Sequence, residues 1–445
     1  MLTVLLIILS IIFIVVASTR LKVHPFLSLL VAAFLFGIFS GMPLLQIIDV
    51  INEGFGSTIG KIGIIIIAGI IIGAFLENSG GALALANKVI KLVGIKRIYS
   101  AIAFIGYIIS IPVFADSGFV ILSSLNKALT KSARLSLAGT AIALSLGLTA
   151  THTMVPPTPG PIAAAGIIGA DLGLVILIGL FTSFFGLIAC IFFARYIGKR
   201  IYIDPDQDMG DRREEKPSGN PPSALKSFLP ILVPVLLIVL RSVADLPTRP
   251  FGSDEVYNGF VFIGNPLTAL FIGVILSFFL PAKFDREMLS TTGWVGKALK
   301  DAAIIILITG AGGAFGKVLQ SSDIGKLLEA NVHGTRLGIW LPFFIAAAIK
   351  TVQGSSTVAL ITAASIITPL LPGMGLDSEI SKAMVVVAIG AGSAVVSHAN
   401  DSFFWIVTQF SHMDINQGYR IQSLGTALLG FSSMIFLTLL SLLLN

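Results

Sequence analysis

The sequence predicts an all-α polytopic membrane protein built as two inverted repeats, each with a re-entrant helical hairpin and a broken transmembrane helix, in about ten full spans. Three observations predict it. First, 55% of the 445 residues are hydrophobic, 12% are charged and the mean hydropathy is +0.96. Runs able to cross a bilayer core of about 30 Å, each of about 20 residues as helix, therefore recur along the whole length. A soluble fold is excluded. Second, two of these runs are interrupted by polar segments at membrane depth. Third, landmarks of one half recur in the same order in the other half.

In chain order, Leu2 to Ala17 has no basic residue before it and no small-residue cleavage site after it, so residues 1–24 read as a retained first span rather than a signal peptide. Span 2 runs from Pro25 to Gly41 and span 3 from Ile62 to Leu76, with Leu44 to Lys61, which carries Asp49 and Glu53, as an outer loop. Lys88, Lys91, Lys96 and Arg97 mark an inside segment, because juxtamembrane Lys and Arg favour the cytoplasm. The stretch 98–126 is too short for two spans, is interrupted at Pro112 and Asp116-Ser117-Gly118, and has basic residues at both ends. It reads as a hairpin that enters and leaves on one side, with its tip near Asp116. The span over 135–169 is broken between Thr149 and Pro161 by four prolines, each of which removes a backbone donor at a cost of roughly 3 kcal/mol in a helix interior. A return span, Leu172 to Ala194, completes repeat 1 over 25–194.

Residues 195–226, rich in Pro, Gly and charges of both signs, read as a flexible cytoplasmic linker. Repeat 2 and the span before it occupy 227–445. It holds spans near Phe228–Leu240, Phe260–Leu280 and Asp301–Leu319, and a hairpin over 337–371 broken at Gln353-Gly354-Ser355-Ser356-Thr357. A span over 380–411 broken at Ser397–Ser402 and a last span, Ile421–Leu444, follow. Both termini then lie outside.

Shifting the chain by about 243 residues lays Gly69, Gly73, Leu76, Glu77, Asn78 and Ser79 on Gly312, Gly316, Leu319, Gln320, Ser321 and Ser322. Shifts of about 239 and 246 superpose Asp116-Ser117-Gly118 on Ser355-Ser356-Thr357 and His152 on His398. The charge bias runs span 3 inward and its counterpart outward, which makes the repeat an inverted one. Unpaired backbone at membrane depth must line a protein-buried or watery cavity, and paired broken spans point to a transporter's binding site. Hairpins and breaks that meet near the midplane keep their backbone paired by moving as one unit, so the expected transporter is of the elevator type.

Composition excludes other classes. There is no HExxH, GxSxG or Cys-rich metal set, so the chain is not read as an enzyme and no metal or cofactor is expected. The lone Cys190 has no partner for an internal disulfide, and the net charge of +6 is loop bias rather than a nucleic-acid surface. A channel would also use re-entrant segments, but paired inverted halves suit alternating access better.

At Val113-Phe114-Ala115-Asp116-Ser117-Gly118-Phe119, the His152 to Pro161 run, Gln353-Gly354-Ser355-Ser356-Thr357-Val358-Ala359 and Ser397-His398-Ala399-Asn400-Asp401-Ser402-Phe403-Phe404-Trp405, the sequence resembles the gluconate permease family of proton symporters, in the wider ion-transporter superfamily. The resemblance covers nearly the whole chain. It implies uptake of gluconate or a related sugar acid with protons across the bacterial inner membrane, a hairpin-containing transport domain beside a scaffold, and a homodimer.

A sugar acid has one carboxylate and a row of hydroxyls, so its site needs an anion-stabilising end and several hydrogen-bonding groups. Half-helix N-termini supply the first. The substrate-binding candidates are Asp116, Ser117, Gly118, His152, Thr158, Gln353, Gly354, Ser355, Ser356, Thr357, Asn400 and Ser402, with Gly160 a further point of close backbone approach. Lys350 is the nearest cation and reads as a hairpin-leg lysine reaching an interface. The proton-coupling candidates are Asp116, Asp401, His152, His398 and Glu77, since ionisable groups inside a membrane are functional by default. Asp116 and Asp401 have a competing reading as helix caps. Sodium coupling through hairpin hydroxyls and unwound carbonyls is the alternative to protons.

Overall fold

The computed structural model describes residues 20–94, 97–205, 221–244, 255–321 and 338–444, with isolated positions between 6 and 17. Most of the first expected span, the linker over 206–220, the loop over 245–254 and the segment 322–337, including Ser322 and the start of the second expected hairpin, lie outside the described residues. Among those described there is no strand.

The helices of the first half are α1 (Pro25–Phe39), α2 (Leu44–Asn78), α3 (Gly81–Val93), α4 (Ile98–Ile109), α5 (Ala115–Ser132), α6 (Leu137–Met154), α7 (Pro159–Ile168) and α8 (Leu172–Arg200). Those of the second are α9 (Ala224–Ala244), α10 (Glu255–Ile263), α11 (Pro266–Ser277), α12 (Trp294–Ser321), α13 (Trp340–Gln353), α14 (Ser356–Ile367), α15 (Glu379–Ala394), α16 (Ser402–Phe410) and α17 (Leu424–Leu444). Among the described residues, six helical stretches are long and apolar enough to cross a membrane, or seven if α10 and α11, bent by 61° where they meet, form one span. Large apolar side chains such as Phe34, Phe181, Phe192, Phe271, Ile435 and Leu442 are exposed on the outside, a surface suited to lipid.

Three expectations need correction. The outer loop expected over Leu44 to Lys61 is helix, continuous with span 3. Its polar residues misled the hydropathy reading because they share one side: Asp49, Glu53 and Ser57 are exposed while Ile47, Val50, Ile51, Gly54 and Thr58 are buried. The second leg of the first hairpin extends to Ser132, six residues past Asn126, carrying Lys127 and Lys131 on the helix. The first hairpin turns at 110–114, so Asp116 lies in the first turn of α5 rather than at the bend.

Local chemistry explains the boundaries. Asp171 caps α8 by accepting from Leu174 N (2.8 Å), and Asn265 caps α11 by accepting from Leu267 N (3.0 Å), contacts worth about 1 kcal/mol each. The centre is made of small-residue helices. α6 packs so closely on α4 that a Cβ at Gly106 would lie 2.6 Å from the Leu144 carbonyl oxygen. Corresponding elements have corresponding neighbours: α4 packs on α6 and α6 on α8, while α13 packs on α15 and α15 on α17. α5 meets α16 and α14 meets α7, α8 lies against α17, and α2 crosses α12 antiparallel, with Gly54 at Gly313 and Ala314 and Gly63 beside Ile306. These pairings leave the ends of two hairpins and two interrupted helices facing one another.

Candidate functional site

A cavity of about 590 Å³ lies where they meet. The first hairpin contributes Phe114, Ala115, Asp116 and Ser117. Its bend closes through the Ser110 hydroxyl, which donates to the Val113 carbonyl (3.0 Å), and α5 then starts without a side-chain cap. The Asp116 carboxylate, on that first turn, accepts from the Ser402 hydroxyl at 3.2 Å. Ser117 lies beside Glu77 at the end of α2.

The second hairpin contributes Lys350 and the run Gln353 to Thr357. Gly354 stops α13 in a left-handed conformation (φ +91°), and a side chain there would collide with the Asn400 carbonyl. Ser355 caps α14 by accepting from Val358 N (3.3 Å). The Lys350 ammonium turns back to the Gly354 carbonyl and donates to Asp401 Oδ2 at 2.6 Å. Both side chains are almost wholly buried, 3% and 8% exposed, so this is an internal ion pair.

The break in the second half, Val395 to Asp401, is fixed by side chains. Ser397 N donates to Thr426 Oγ1 (2.9 Å), the Ser397 hydroxyl donates to Asp401 (2.6 Å), and Asp401 also caps α16 by accepting from Phe403 N (3.1 Å). His398 Nε2 lies 2.6 Å from the Thr351 carbonyl, and the Asn400 amide donates to the Thr351 and Val352 carbonyls at 3.0 Å each. Val396 sits at φ +51°, a conformation that β-branched residues rarely adopt and that persists only when neighbours impose it. The break in the first half spans Val155 to Thr158. Just before it, Thr149 and His152 face the cavity, and the His152 ring packs on Phe114 (5.8 Å) with its buried Nδ1 lacking a hydrogen-bond partner.

Of the residues singled out in the sequence, Asp116, Ser117, His152, Gln353, Gly354, Ser355, Ser356, Thr357, Asn400, Asp401 and Ser402 line this one cavity. Others do not reach it. Thr158 is buried with its hydroxyl donating to the Val155 carbonyl (2.7 Å), because the four-residue break turns it inward. Gly118 is packed under Leu148, and Gly160 against Thr357 and Leu360 of α14. His398 faces the second hairpin, and Glu77 stands behind Ser117. The cap reading fits Asp401, which also carries the ion pair, and does not fit Asp116, which bonds Ser402 instead. The sequence reading omitted Lys350, Ser397, Thr149, Thr426 and, from α12, Asp301, Ile304 and Ile305 from the wall. For Lys350 a signal existed: a lone lysine in an apolar hairpin leg one turn before a polar break.

The wall thus carries three carboxylates, Asp116, Asp301 and Asp401, and one ammonium, which Asp401 engages. A polar cavity at the junction of hairpins and interrupted helices, inside an apolar bundle, is the signature of a membrane transporter. The family comparison narrows the class: the profile of the GntP family permeases matches residues 2–443, and the chain belongs to that family. It is a permease, not an enzyme.

Named relatives extend along nearly the full chain. A gluconate permease of Pseudomonas aeruginosa is 32% identical over 445 residues, covering 98% of this chain and 96% of that protein. The D-serine transporter DsdX of Escherichia coli is 32% identical, covering 94% and 93%. In structure the chain shares the fold of Neisseria gonorrhoeae MtrF, with a TM-score of 0.60 over 97% of this chain and 94% of that one at 15% identity.

Proposed function

We propose that this protein imports gluconate or a related small hydroxy acid by proton symport, using elevator-type alternating access in a bacterial inner membrane. The gluconate and D-serine relatives support the substrate range, since both substrates carry a carboxylate and at least one hydroxyl. One observation carries the coupling: among the described residues Asp116 faces the cavity without a cation partner, while Asp401 is held by Lys350. An anion entering beside ionised Asp116 meets like charge in a medium that screens poorly. A proton on Asp116 removes the repulsion and turns an acceptor into a donor for the substrate. The Lys350 ammonium on the Gly354 carbonyl favours protons over sodium, because it puts a fixed cation where a tip carbonyl would help hold Na⁺.

The elevator reading draws on the packing. α4–α8 with α13–α17 form the transport unit, and α1–α3 with α9–α12 the scaffold. The second hairpin and its break are bonded together by Lys350, His398 and Asn400, as a unit that moves whole requires. In the antiparallel scaffold pair α2 and α12, Gly63 lies beside Ile306, residues that the repeat offset of about 243 maps onto each other, as a two-fold axis between inverted halves demands. Added to the seven crossings, the second broken span, the first span and the short α1 bring the count to ten spans. The homodimer is carried over from the resemblance.

Uptake of labelled gluconate into vesicles, with pH and sodium gradients imposed separately, tests the proposal. Accumulation driven by the pH gradient without sodium is expected. Accumulation driven by sodium alone overturns proton coupling.

A further inference from the structure

A second, smaller cavity of about 270 Å³ opens between the same two scaffold helices and the transport unit, lined by Thr58 and Lys61 of α2, Lys317 and Gln320 of α12, and the end of α7. Its position relative to the large cavity is not arbitrary. The large cavity takes its scaffold wall from Asp301, Ile304 and Ile305, and the repeat offset of 243 carries these onto Thr58, Lys61 and Ile62. Asp301 lies five residues before Ile306, and Thr58 five before its repeat mate and neighbour Gly63, so each stands about 7.5 Å from that self-paired position along antiparallel axes. The two walls therefore occupy equivalent places at opposite ends of the scaffold.

We infer that the smaller cavity is the other face of the same transport site: when the transport unit shifts, the substrate leaves the wall of Asp301 and meets the wall of Thr58 and Lys61, with Lys61 taking the substrate carboxylate. This rests on the elevator reading above. The repeat also fixes which groups dock. Here the first hairpin meets the scaffold where Ser117 lies beside Glu77. Carrying each by the offset of its own segment, 239 and 243, gives Ser356 and Gln320, and Gln320 already lines the smaller cavity. In the second state Ser356 docks on Gln320, and the Ser117–Glu77 contact opens.

The charges are not symmetric, and that asymmetry has a function. Among the described residues Lys61 has no ion-pair partner, whereas Lys317 is held by Glu53 at 2.7 Å. An anion is thus attracted by a free ammonium at one end and repelled by the Asp301 carboxylate at the other. Capture is favoured on the Lys61 side and release on the Asp301 side.

Two measurements test this. In a Cys190→Ser background, the pairs Ser356→Cys with Gln320→Cys and Ser117→Cys with Glu77→Cys should each be bridged by a short bifunctional thiol reagent in membranes, and neither protein should then switch state. Failure of the 356/320 pair to bridge, with the 117/77 pair bridging, overturns the inference. This arm needs no substrate, so it decides the inference even if labelled gluconate is not carried, the result that would defeat the substrate assignment instead. In oriented proteoliposomes, Lys61→Gln should raise the half-saturation for gluconate about fivefold or more on one face only, the loss of one charge-assisted contact. An unchanged value on both faces, or an equal rise on both, removes Lys61 from the site.

Discussion

The second hairpin and its break hold one another through charged and amide groups: Lys350 to Asp401, His398 and Asn400 to the Thr351 carbonyl, and Asn400 also to Val352. The first hairpin and its break meet more sparsely. Near their cavity end the Thr151 hydroxyl donates to the Tyr107 carbonyl (2.8 Å), while His152 Nδ1 is buried without a partner and Asp116 reaches across to Ser402 of the other half. Equivalent positions in two repeats thus carry opposite polar states. At the cavity the charged and amide groups of the second half are paired with one another, whereas the first half leaves His152 Nδ1 without a partner and Asp116 without a cation among the described residues. The comparison assigns framework to the second half and changeable chemistry to the first.

The largest expected effect comes from breaking the paired side. Lys350→Met leaves Asp401 buried without its cation, a change that costs roughly 3–5 kcal/mol where one partner of a buried pair is removed. The variant should lose most of its folded yield in detergent, and Lys350→Met with Asp401→Leu should recover part of the melting temperature. A single variant as stable as the unmodified protein would show that the pair is not framework. The next effect falls on function alone. Asp116→Asn keeps the side-chain shape and an oxygen for Ser402, so the melting temperature should stay within a few degrees while gradient-driven accumulation is lost and substrate exchange continues. Accumulation that survives Asp116→Asn would move the proton to another group and erase the contrast between halves.

How much of this was readable in the sequence depends on what kind of signal each residue leaves. Prolines 156, 157, 159 and 161 and the Gln353 to Thr357 run stand out because nothing else interrupts an apolar helix there; the second run lines the cavity, while the prolines follow His152 beyond its wall. The partnership of Lys350 with Asp401, 51 residues apart, leaves no periodic trace, since only the folded turn of the hairpin brings them together. Thr158 and Gly118 have the right neighbours in sequence and the wrong direction in space, because a four-residue break and a helix turn decide where each side faces. By hydropathy Asp301 marks the edge of a span. It lies a full two turns inside α12, which starts at Trp294, and so it faces the cavity instead of the membrane surface.

The smallest effect sharpens the comparison most, because it tests the one side-chain hydrogen bond described between the first hairpin tip and the second break. Ser402 is exposed, opens α16 beside the Asp401 cap, and donates to Asp116 at 3.2 Å. Ser402→Ala removes that donor and leaves the Asp401 cap and the Lys350 pair intact, so the framework should not notice. A neutral donor to a charged acceptor contributes about 1.5–3 kcal/mol at most and less where water can replace it, and here the cavity is open enough for that. The melting temperature should therefore be unchanged, and the half-saturation for gluconate should rise about two- to fivefold, with Ser402→Thr restoring it. If Ser402→Ala instead lowers the melting temperature as Lys350→Met does, the link between halves is part of the framework, and the division between a fixed half and a changeable half fails.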